Sequence, residues 1–302
     1  MGQKLEIVWT NVVLFIMYHY FALHGLYHLA TASVLPKTLL WFSVILIMSN
    51  QGITAGAHRL WSHKAFKVKL PLKVFLVVCQ TIAFQNDIYE WARDHRVHHK
   101  YTDTKADPHD STRGFFFCHM GWLLCRKHPE VAIQGKTIDM SDLEADPLVM
   151  FQRKYYFILA PVFSFIIPTV VPRFFWGENV YVSLCVAAML RYMISLHITW
   201  LVNSAGHMWG YKPYDRFITP VENTVVAYLT LGEGWHNYHH TFPQDYKGSE
   251  LGVTLDNVTT AFIHFMNKIG WAYDLKTVSK EEVLKRIMKN GILNGAVEIA
   301  ST

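Results

Sequence analysis

Four long apolar segments, separated by polar stretches, dominate the pattern of hydrophobic and polar positions along the chain. A helix needs about 20 apolar residues to cross a bilayer, so each segment predicts one transmembrane helix. Turns near Pro36 and Gly177 join the first pair and the second pair, and we therefore expect two hairpins. The predicted helices cover residues 7–31, 38–57, 156–176 and 180–202.

The composition agrees with a membrane protein, because 51% of the residues are hydrophobic and only 17% are charged. Ordinary soluble domains carry about a quarter charged residues. We expect one all-α domain over residues 1–302, with helical cytosolic parts at 58–155 and 203–302. Membrane lipid should surround the apolar helices, and we expect no nucleic-acid partner.

Three histidine clusters lie at the edges of apolar segments and together supply eight imidazoles. Residues i, i+3 and i+4 of a helix share one face, so each His-x2-His-His string presents one edge that holds one metal or bridges two. Side chains five residues apart point about 140° away from each other on a regular helix. We therefore expect the first cluster to straddle a helix end. The clusters are His58 and His63; His95, His98 and His99; and His236, His239 and His240.

His207 is a ninth candidate ligand, and Asn203 on the same helical face is able to hold a water. Zinc sites usually close with four ligands, whereas two redox metals can use this many nitrogens. The sequence thus predicts a dinuclear site, although spacing alone leaves iron, manganese and zinc open. His24 and His28, four residues apart, could form a separate small site. A single histidine is more often a core residue than a ligand, so we assign no metal role to His109, His119, His128, His197 and His264.

Lysine and arginine concentrate between residues 57 and 155 and after residue 202, which leaves only Lys37 and Arg173 near the turns. By the positive-inside rule, both termini and all histidine clusters face the cytoplasm. The apolar stretch from Leu70 to Phe84 is short, and a crossing there would put the first two clusters on opposite sides of the bilayer. We therefore expect a helix that is buried in the cytosolic part or lies at the interface.

Two further patterns concern the cysteines and the tail. The four cysteines show no paired spacing, and a chain that faces the reducing cytosol predicts free thiols.

Ser279 and Glu282 have the spacing of a capping box, which predicts a helix that ends near Gly291. We expect this helix to dock through an apolar stripe formed by Val283, Leu284, Ile287 and Met288.

Four strings of residues enclose the candidate ligands: GAHRLWSH from Gly56, NDIYEWARDHRVHHK from Asn86, NSAGHMWGY from Asn203 and GEGWHNYHHTFP from Gly232. In order and spacing they resemble the animal acyl-CoA desaturases of the stearoyl-CoA Δ9 type, the type 1 fatty acid desaturases. The match covers nearly the whole chain, and the sequence style is similar to that of insects.

The resemblance implies a multi-pass enzyme of the endoplasmic reticulum membrane with two iron ions. Its activity would be the introduction of a cis double bond, most often Δ9, into a saturated acyl-CoA such as stearoyl-CoA or palmitoyl-CoA. O2 would be the oxidant, and cytochrome b5 with its NADH-dependent reductase would supply electrons. The nine histidines would hold the iron, and Asn203 would contact a metal-bound water.

The resemblance also implies a substrate site. Leu46 and Asn50 would stand near the closed end of an acyl tunnel, and we expect Leu46→Trp to shorten the preferred substrate. The bend of the tunnel would be lined by Gln85, Thr199 and Trp200. The CoA head would meet Asn11, Asn86, Arg93, Asp94, Arg126 and Lys127.

Several alternatives stay open on the sequence alone. Relatives with the same histidines place double bonds elsewhere, for example at Δ11 in pheromone synthesis. A lipid hydroxylase would insert oxygen, and a membrane zinc protein would have no redox chemistry. The chain has a net charge of +5. Its basic residues could steer an acidic cytochrome b5 or only bind anionic lipid headgroups.

Overall fold

Helices make up almost all the regular structure of the chain, which a computed structural model describes over residues 6–250 and 257–292. Two short strands, β1 (Lys67–Val68) and β2 (Ala272–Tyr273), pair antiparallel. Single 3₁₀ turns cover Ser111–Arg113 and Gly121–Leu123. The helices are α1 (Trp9–Ala30), α2 (Pro36–Ser62), α3 (Leu70–Ala83), α4 (Ile88–Tyr101), α5 (Phe115–His119), α6 (Pro129–Gly135), α7 (Ser141–Glu144), α8 (Pro147–Trp176), α9 (Val180–Met208), α10 (Thr224–Leu229), α11 (His236–Thr241), α12 (Val258–Lys268) and α13 (Lys280–Asn290).

Four of these helices, α1, α2, α8 and α9, are long and apolar enough to cross a membrane. The predicted number of spans and the all-α class are confirmed. Three of these helices extend beyond the predicted spans, because α2 continues to Ser62, α8 begins at Pro147 and α9 continues to Met208. The helical hydrogen bonding outlasts the apolar stretch in α2 and α9, which thereby carry His58 and His207 beyond it.

Three of the spans contain π-helical segments, in which each N–H bonds to the carbonyl five residues earlier. In α2 the first part, Pro36–Gln51, is regular and the second part, Gly52–Ser62, is π-helical. Shorter π segments occupy Val162–Ile166 in α8 and Leu184–Leu190 in α9. The hydrophobic pattern gave no sign of these segments, since apolar spacing in a fully apolar helix does not report the turn angle.

The two hairpins are joined at the end opposite the histidine clusters. The carboxylate of Glu178, in the turn between α8 and α9, accepts hydrogen bonds from Leu35 N at 2.9 Å and Thr38 Oγ1 at 2.7 Å. Trp176 Nε1 donates to the same Thr38 hydroxyl at 2.8 Å. Gly177 ends α8 with φ +74°, a left-handed conformation that favours glycine. These bonds fix the relative position of the two turns.

Helix α3 is the apolar stretch whose crossing we argued against. It has 14 residues, which is about 21 Å of helix and shorter than the hydrocarbon core of a bilayer. Leu72 and Leu76 are buried in the largest hydrophobic cluster, together with Ile88 of α4 and Ile263 of α12. A Cβ on Gly52 would lie 2.2 Å from the Cys79 carbonyl carbon. The packing of α3 against α2 therefore requires glycine at this position.

The tail helix α13 begins and ends where the sequence predicts. Ser279 Oγ accepts a hydrogen bond from Glu282 N at 3.1 Å, and Gly291 follows the last turn. Only half of the expected stripe docks, because Leu284 and Met288 are exposed. The other half, Val283 and Ile287, packs in a cluster with Tyr214, Tyr238, Phe242 and Val278.

All four cysteines are free, as predicted.

Candidate functional site

The π-helical end of α2 brings His58 and His63 together. On a regular helix these side chains would point about 140° apart, but π-helical bonding nearly superposes residues i and i+5. His63 N donates to His58 O at 3.1 Å, and the two ring centroids are 4.9 Å apart. His63 is the first residue after the helix, so the pair does straddle its end. The change of helix type, which the sequence did not signal, makes the pair converge.

The nine candidate histidines form two groups of converging ring nitrogens. Within each group, one ligand atom of every residue lies within 4.8 Å of the others. Among the described residues, neither group includes His24 or His28, which instead bond to Tyr181 and Ser33. The first group contains His58, His63, His95, His99 and His239, and the second contains His98, His207, His236 and His240.

Each His-x2-His-His string contributes to both groups. Helix α4 gives His95 and His99 to the first group and His98 to the second. Helix α11 gives His239 to the first group and His236 and His240 to the second. The sequence left open whether each string holds one metal or bridges two, and the geometry corresponds to bridging. The two helices therefore set the separation of the two groups.

The spacing of the ring nitrogens suits a metal in each group. Two nitrogens that bind one ion at roughly 2.1 Å and 90–110° are about 2.9–3.4 Å apart. In the first group, Nε2 of His239 lies 2.9 Å from Nε2 of His58 and 3.0 Å from that of His99. In the second group, Nε2 of His236 lies 3.1 Å from Nε2 of both His207 and His240. The donor set of imidazoles fits iron, zinc or another transition metal.

Three carboxylates with buried side chains contact rings of the candidate ligands. Glu233 Oε2 lies 2.7 Å from His58 Nδ1, Asp107 Oδ2 lies 2.8 Å from His98 Nδ1, and Asp103 Oδ2 lies 3.1 Å from His207 Nδ1. A ring that donates Nδ1–H to a carboxylate presents its Nε2 lone pair to the site. Sequence reasoning missed all three carboxylates. Their one signal was position, since Asp103 and Asp107 closely follow the second cluster and Glu233 precedes the third.

The electrostatics keep these carboxylates ionised. Burial alone raises the pKa of Glu233, but the facing Arg59 and His58 hold that pKa at about 2. Burial likewise opposes ionisation of Asp107, and the His98 and His109 rings lower its pKa well below the usual range. Arg59 is itself buried, and its guanidinium donates to Glu233 Oε1 at 2.6 Å. Ionised carboxylates accept Nδ1–H and would offset part of the charge of a bound metal cation.

Six of the candidate ligand rings outside the membrane spans are neutral near pH 7. Burial is the first cause that lowers the pKa of each well below its ordinary value, and the neighbouring histidines are the second. A neutral imidazole has the free lone pair that metal binding requires. This applies to His63, His95, His99, His236, His239 and His240.

Comparison with known proteins decides the family. The fatty acid desaturase family model matches residues 35–246. The chain belongs to the fatty acid desaturase family. It is 56% identical to an acyl-CoA Delta-9 desaturase of Acheta domesticus, over 95% of this chain and 79% of that protein. It is 54% identical to a stearoyl-CoA desaturase of Homo sapiens, over 96% of this chain and 80% of that protein. An acyl-CoA Delta-12 desaturase of Tribolium castaneum is 52% identical over 95% and 80%.

A large cavity of about 330 Å³ leads to the metal groups of this desaturase. Asn11, Asn86 and Asp94 line it together with apolar and aromatic side chains of α1, α4 and α9. The three residues expected at a bend also line it: Gln85, Thr199 and Trp200. Gln85 Nε2 donates to Thr199 Oγ1 at 3.0 Å, and this bond ties the end of α3 to α9.

Two of the three cationic residues expected to bind a CoA head pair with one carboxylate, that of Asp94. Asp94 lies 3.1 Å from Arg93 Nη2 and also bonds to Lys127 Nζ. Arg126 is exposed, and its Nε lies 2.8 Å from Glu6 Oε2. Of the six residues expected at the head, Asn11, Asn86 and Asp94 line the cavity, whereas the three cations do not, although Arg93 and Lys127 pair with the lining residue Asp94.

A second, narrower cavity of about 50 Å³ borders both metal groups. It shares Trp91, His95, Thr199 and Asn203 with the large cavity. Asn50 lines it, whereas Leu46, one turn earlier on α2, lines neither cavity. The two cavities therefore adjoin at these four shared residues, and the narrow one extends past the metal groups towards α2.

Two histidine arrangements were missed because each residue was judged alone. His109 lines the large cavity and, with His98 and Asp107, forms a third set of converging ligands. His197 links His19 and His119 through contacts of 3.2 Å and 3.0 Å between ring nitrogens. The remaining single residue of note, His128, caps α6 by accepting from Glu130 N.

Proposed function

We propose that this desaturase introduces a cis double bond at Δ9 of a saturated fatty acyl-CoA of the stearoyl or palmitoyl type. The observation that carries the proposal is a largely apolar cavity beside two groups of histidines, which together contain nine residues. An alkane CH2 has no proton that a protein base can remove, so the reaction needs a strong oxidant. Two iron ions, when bound by the two groups, supply this oxidant together with O2.

The chain's own residues position the substrate. Asp94, with its bound Arg93 and Lys127, presents cations and polar groups beside the large cavity, where CoA phosphates need them, and the exposed Arg126 would add a further cation. Trp200 and the Gln85–Thr199 hydrogen bond shape the path beside the metal groups. Asn203, which lines both cavities, would hold a water for the second group. The distance from mouth to metals then sets the position of the double bond.

Δ12 regioselectivity is a second candidate. Proteins named acyl-CoA Delta-12 desaturases, from Acheta domesticus and Tribolium castaneum, are 55% and 52% identical to this chain. These identities nearly equal the 56% for the Delta-9 relative from Acheta domesticus. Overall sequence identity therefore does not distinguish desaturation at Δ9 from desaturation at Δ12, whereas analysis of the products does.

The electron donor we propose is cytochrome b5 with its NADH-dependent reductase, at the endoplasmic reticulum membrane. The histidine clusters and most basic residues share one side of the predicted topology. A net charge of +5 would attract an acidic donor to that side. If it does, the electron-transfer rate falls with salt at fixed lipid composition, and a rate independent of salt would contradict this steering.

Expression in yeast that lacks its own acyl-CoA desaturase tests the activity. The fatty acids are then analysed by GC–MS after derivatisation that locates double bonds. We expect new Δ9 monounsaturated acids from the wild-type chain and none from a His239→Gln variant of equal abundance. Bonds at Δ12 would favour the second candidate. Hydroxylated acids, or an inserted protein that contains zinc and gives no product, would overturn the proposal.

A further inference from the structure

A buried amide lies along the narrow cavity beyond the metal groups. Asn50 lines this cavity and is only 6% exposed. Its Oδ1 accepts a hydrogen bond from Ser195 Oγ at 3.0 Å. An asparagine amide has a donor and an acceptor, and the second polar atom, Nδ2, has no partner within residues 6–250 and 257–292. The amide therefore offers an unused hydrogen-bonding atom to the cavity.

The surroundings of Asn50 are more polar than an acyl methyl group requires. Thr54, Thr199 and Thr230 line the same cavity. The hydroxyls of these three threonines already bond within the protein, so among these residues and Asn50 the polar side-chain atom that still lacks a partner in the described part of the chain is Nδ2 of Asn50. Burying a polar group without a partner costs free energy, so this polarity points to a ligand that bonds to it.

The position of Asn50 corresponds to the far part of an acyl chain. Asn50 precedes His58 by eight residues of α2, which is about two helical turns. Thr199 and Asn203 line both cavities, so a chain that passes them continues into the narrow one. Carbons near the reacting bond then lie beside the histidines, and carbons near the ω end lie beside Asn50.

We infer that the narrow cavity selects acyl chains that carry a hydrogen-bonding group, in the simplest case a hydroxyl, near the ω end. The inference rests on the acyl-CoA substrate proposed above. A hydroxyl both donates and accepts, so it bonds to the free atom of Asn50 in either orientation of the amide. A plain methyl end leaves that atom without a partner.

A competition between stearoyl-CoA and ω-hydroxystearoyl-CoA tests this selectivity. Microsomes with the full chain receive both substrates, and GC–MS quantifies both desaturated products. We expect wild type to favour the hydroxylated chain by about three- to tenfold in kcat/KM, the size of one net hydrogen bond. Asn50→Leu should reverse the preference. Ile53→Val, which changes an apolar residue of the same cavity, should retain it.

The wild-type ratio tests the inference even where a variant fails to fold. Both products in equal yield, or a preference that Asn50→Leu leaves unchanged, would overturn the selectivity and leave the desaturase activity standing. Absence of product from both chains in wild type would instead overturn the proposed activity, and the selectivity with it.

Discussion

The carboxylate of Glu233 orients one metal ligand and pairs with a buried cation at the same time. It bonds to His58 Nδ1 through one oxygen and to Arg59 through the other. We expect Glu233→Gln to weaken metal binding roughly 10–100-fold, as loss of such a partner typically does. It should also destabilise the fold, because Arg59 stays buried without its counter-charge. Metal content by mass spectrometry and thermal unfolding in detergent measure the two effects.

Asp107→Asn separates these effects, since Asp107 bonds to His98 and has no arginine partner among the described residues. We expect this variant to lose metal with a smaller loss of thermal stability. Asp274→Asn, which breaks an exposed pair with Lys67, is the control and should change neither quantity. Full metal content in both Glu233→Gln and Asp107→Asn would contradict the orienting role.

Glu222 makes the stability of the fold depend on pH with the opposite sign to that of an ion-paired carboxylate. Burial raises its pKa from 4.5 to about 8. Between these values the folded state keeps a proton that the unfolded state releases, so this group's contribution to stability falls as the pH rises. Glu222→Gln should therefore exceed wild type in Tm by an amount that grows from pH 5 to pH 8. The exposed Glu144→Gln variant should show no such trend.

At the residue scale, the sequence predicted the parts of the site that are close together along the chain. The spacing of His95, His98 and His99 indicated a shared helical face, because helix geometry relates neighbours directly. Glu233 was missed because its partner His58 lies 175 positions away, and nothing in a single sequence relates two such residues. Asp103 was missed for the same reason, since it orients His207 from another part of the chain.

At the element scale, helix existence was predictable and helix type was not. Apolar length indicated α1, α2, α8 and α9, and the capping box indicated α13. The π-helical end of α2 left no pattern, because nearly every residue of Gly52–Ser62 is buried and amphipathic spacing is absent. The expected docking stripe of α13 was half wrong, since the helix contacts the core through a narrower face than four apolar positions suggested.

The narrow docking face of α13 yields a matched pair of variants. Ile287 is 6% exposed and packs with Tyr238, which lies between ligands of α11, whereas its neighbour Met288 is 80% exposed. Ile287→Asp buries an unpaired charge and should destabilise the protein by about 3 kcal/mol or more. Metal content should fall as well, because α11 loses its support. Met288→Asp should leave thermal unfolding and metal content unchanged, and equal effects of the two variants would contradict the docking.

At the scale of the whole molecule, the function depends on both hairpins opening to the same side of the membrane. Glu178 joins the two turns at one end, and both metal groups lie at the other. The excess of lysine and arginine predicts that the metal end faces the cytoplasm. The proposed acyl-CoA substrate and electron donor would reach the site from that side, so the proposed chemistry depends on this predicted topology.

An N-glycosylation acceptor placed in loops of the full chain tests this orientation. An acceptor segment inserted after Ala32, in the exposed turn between α1 and α2, should be glycosylated in the endoplasmic reticulum. The same segment after Lys136, which is exposed on the metal side, should stay unmodified. Endoglycosidase-sensitive shifts in mobility report both results. Modification after Lys136 alone would invert the topology and place the nine histidines in the lumen, away from cytosolic acyl-CoA and reductant.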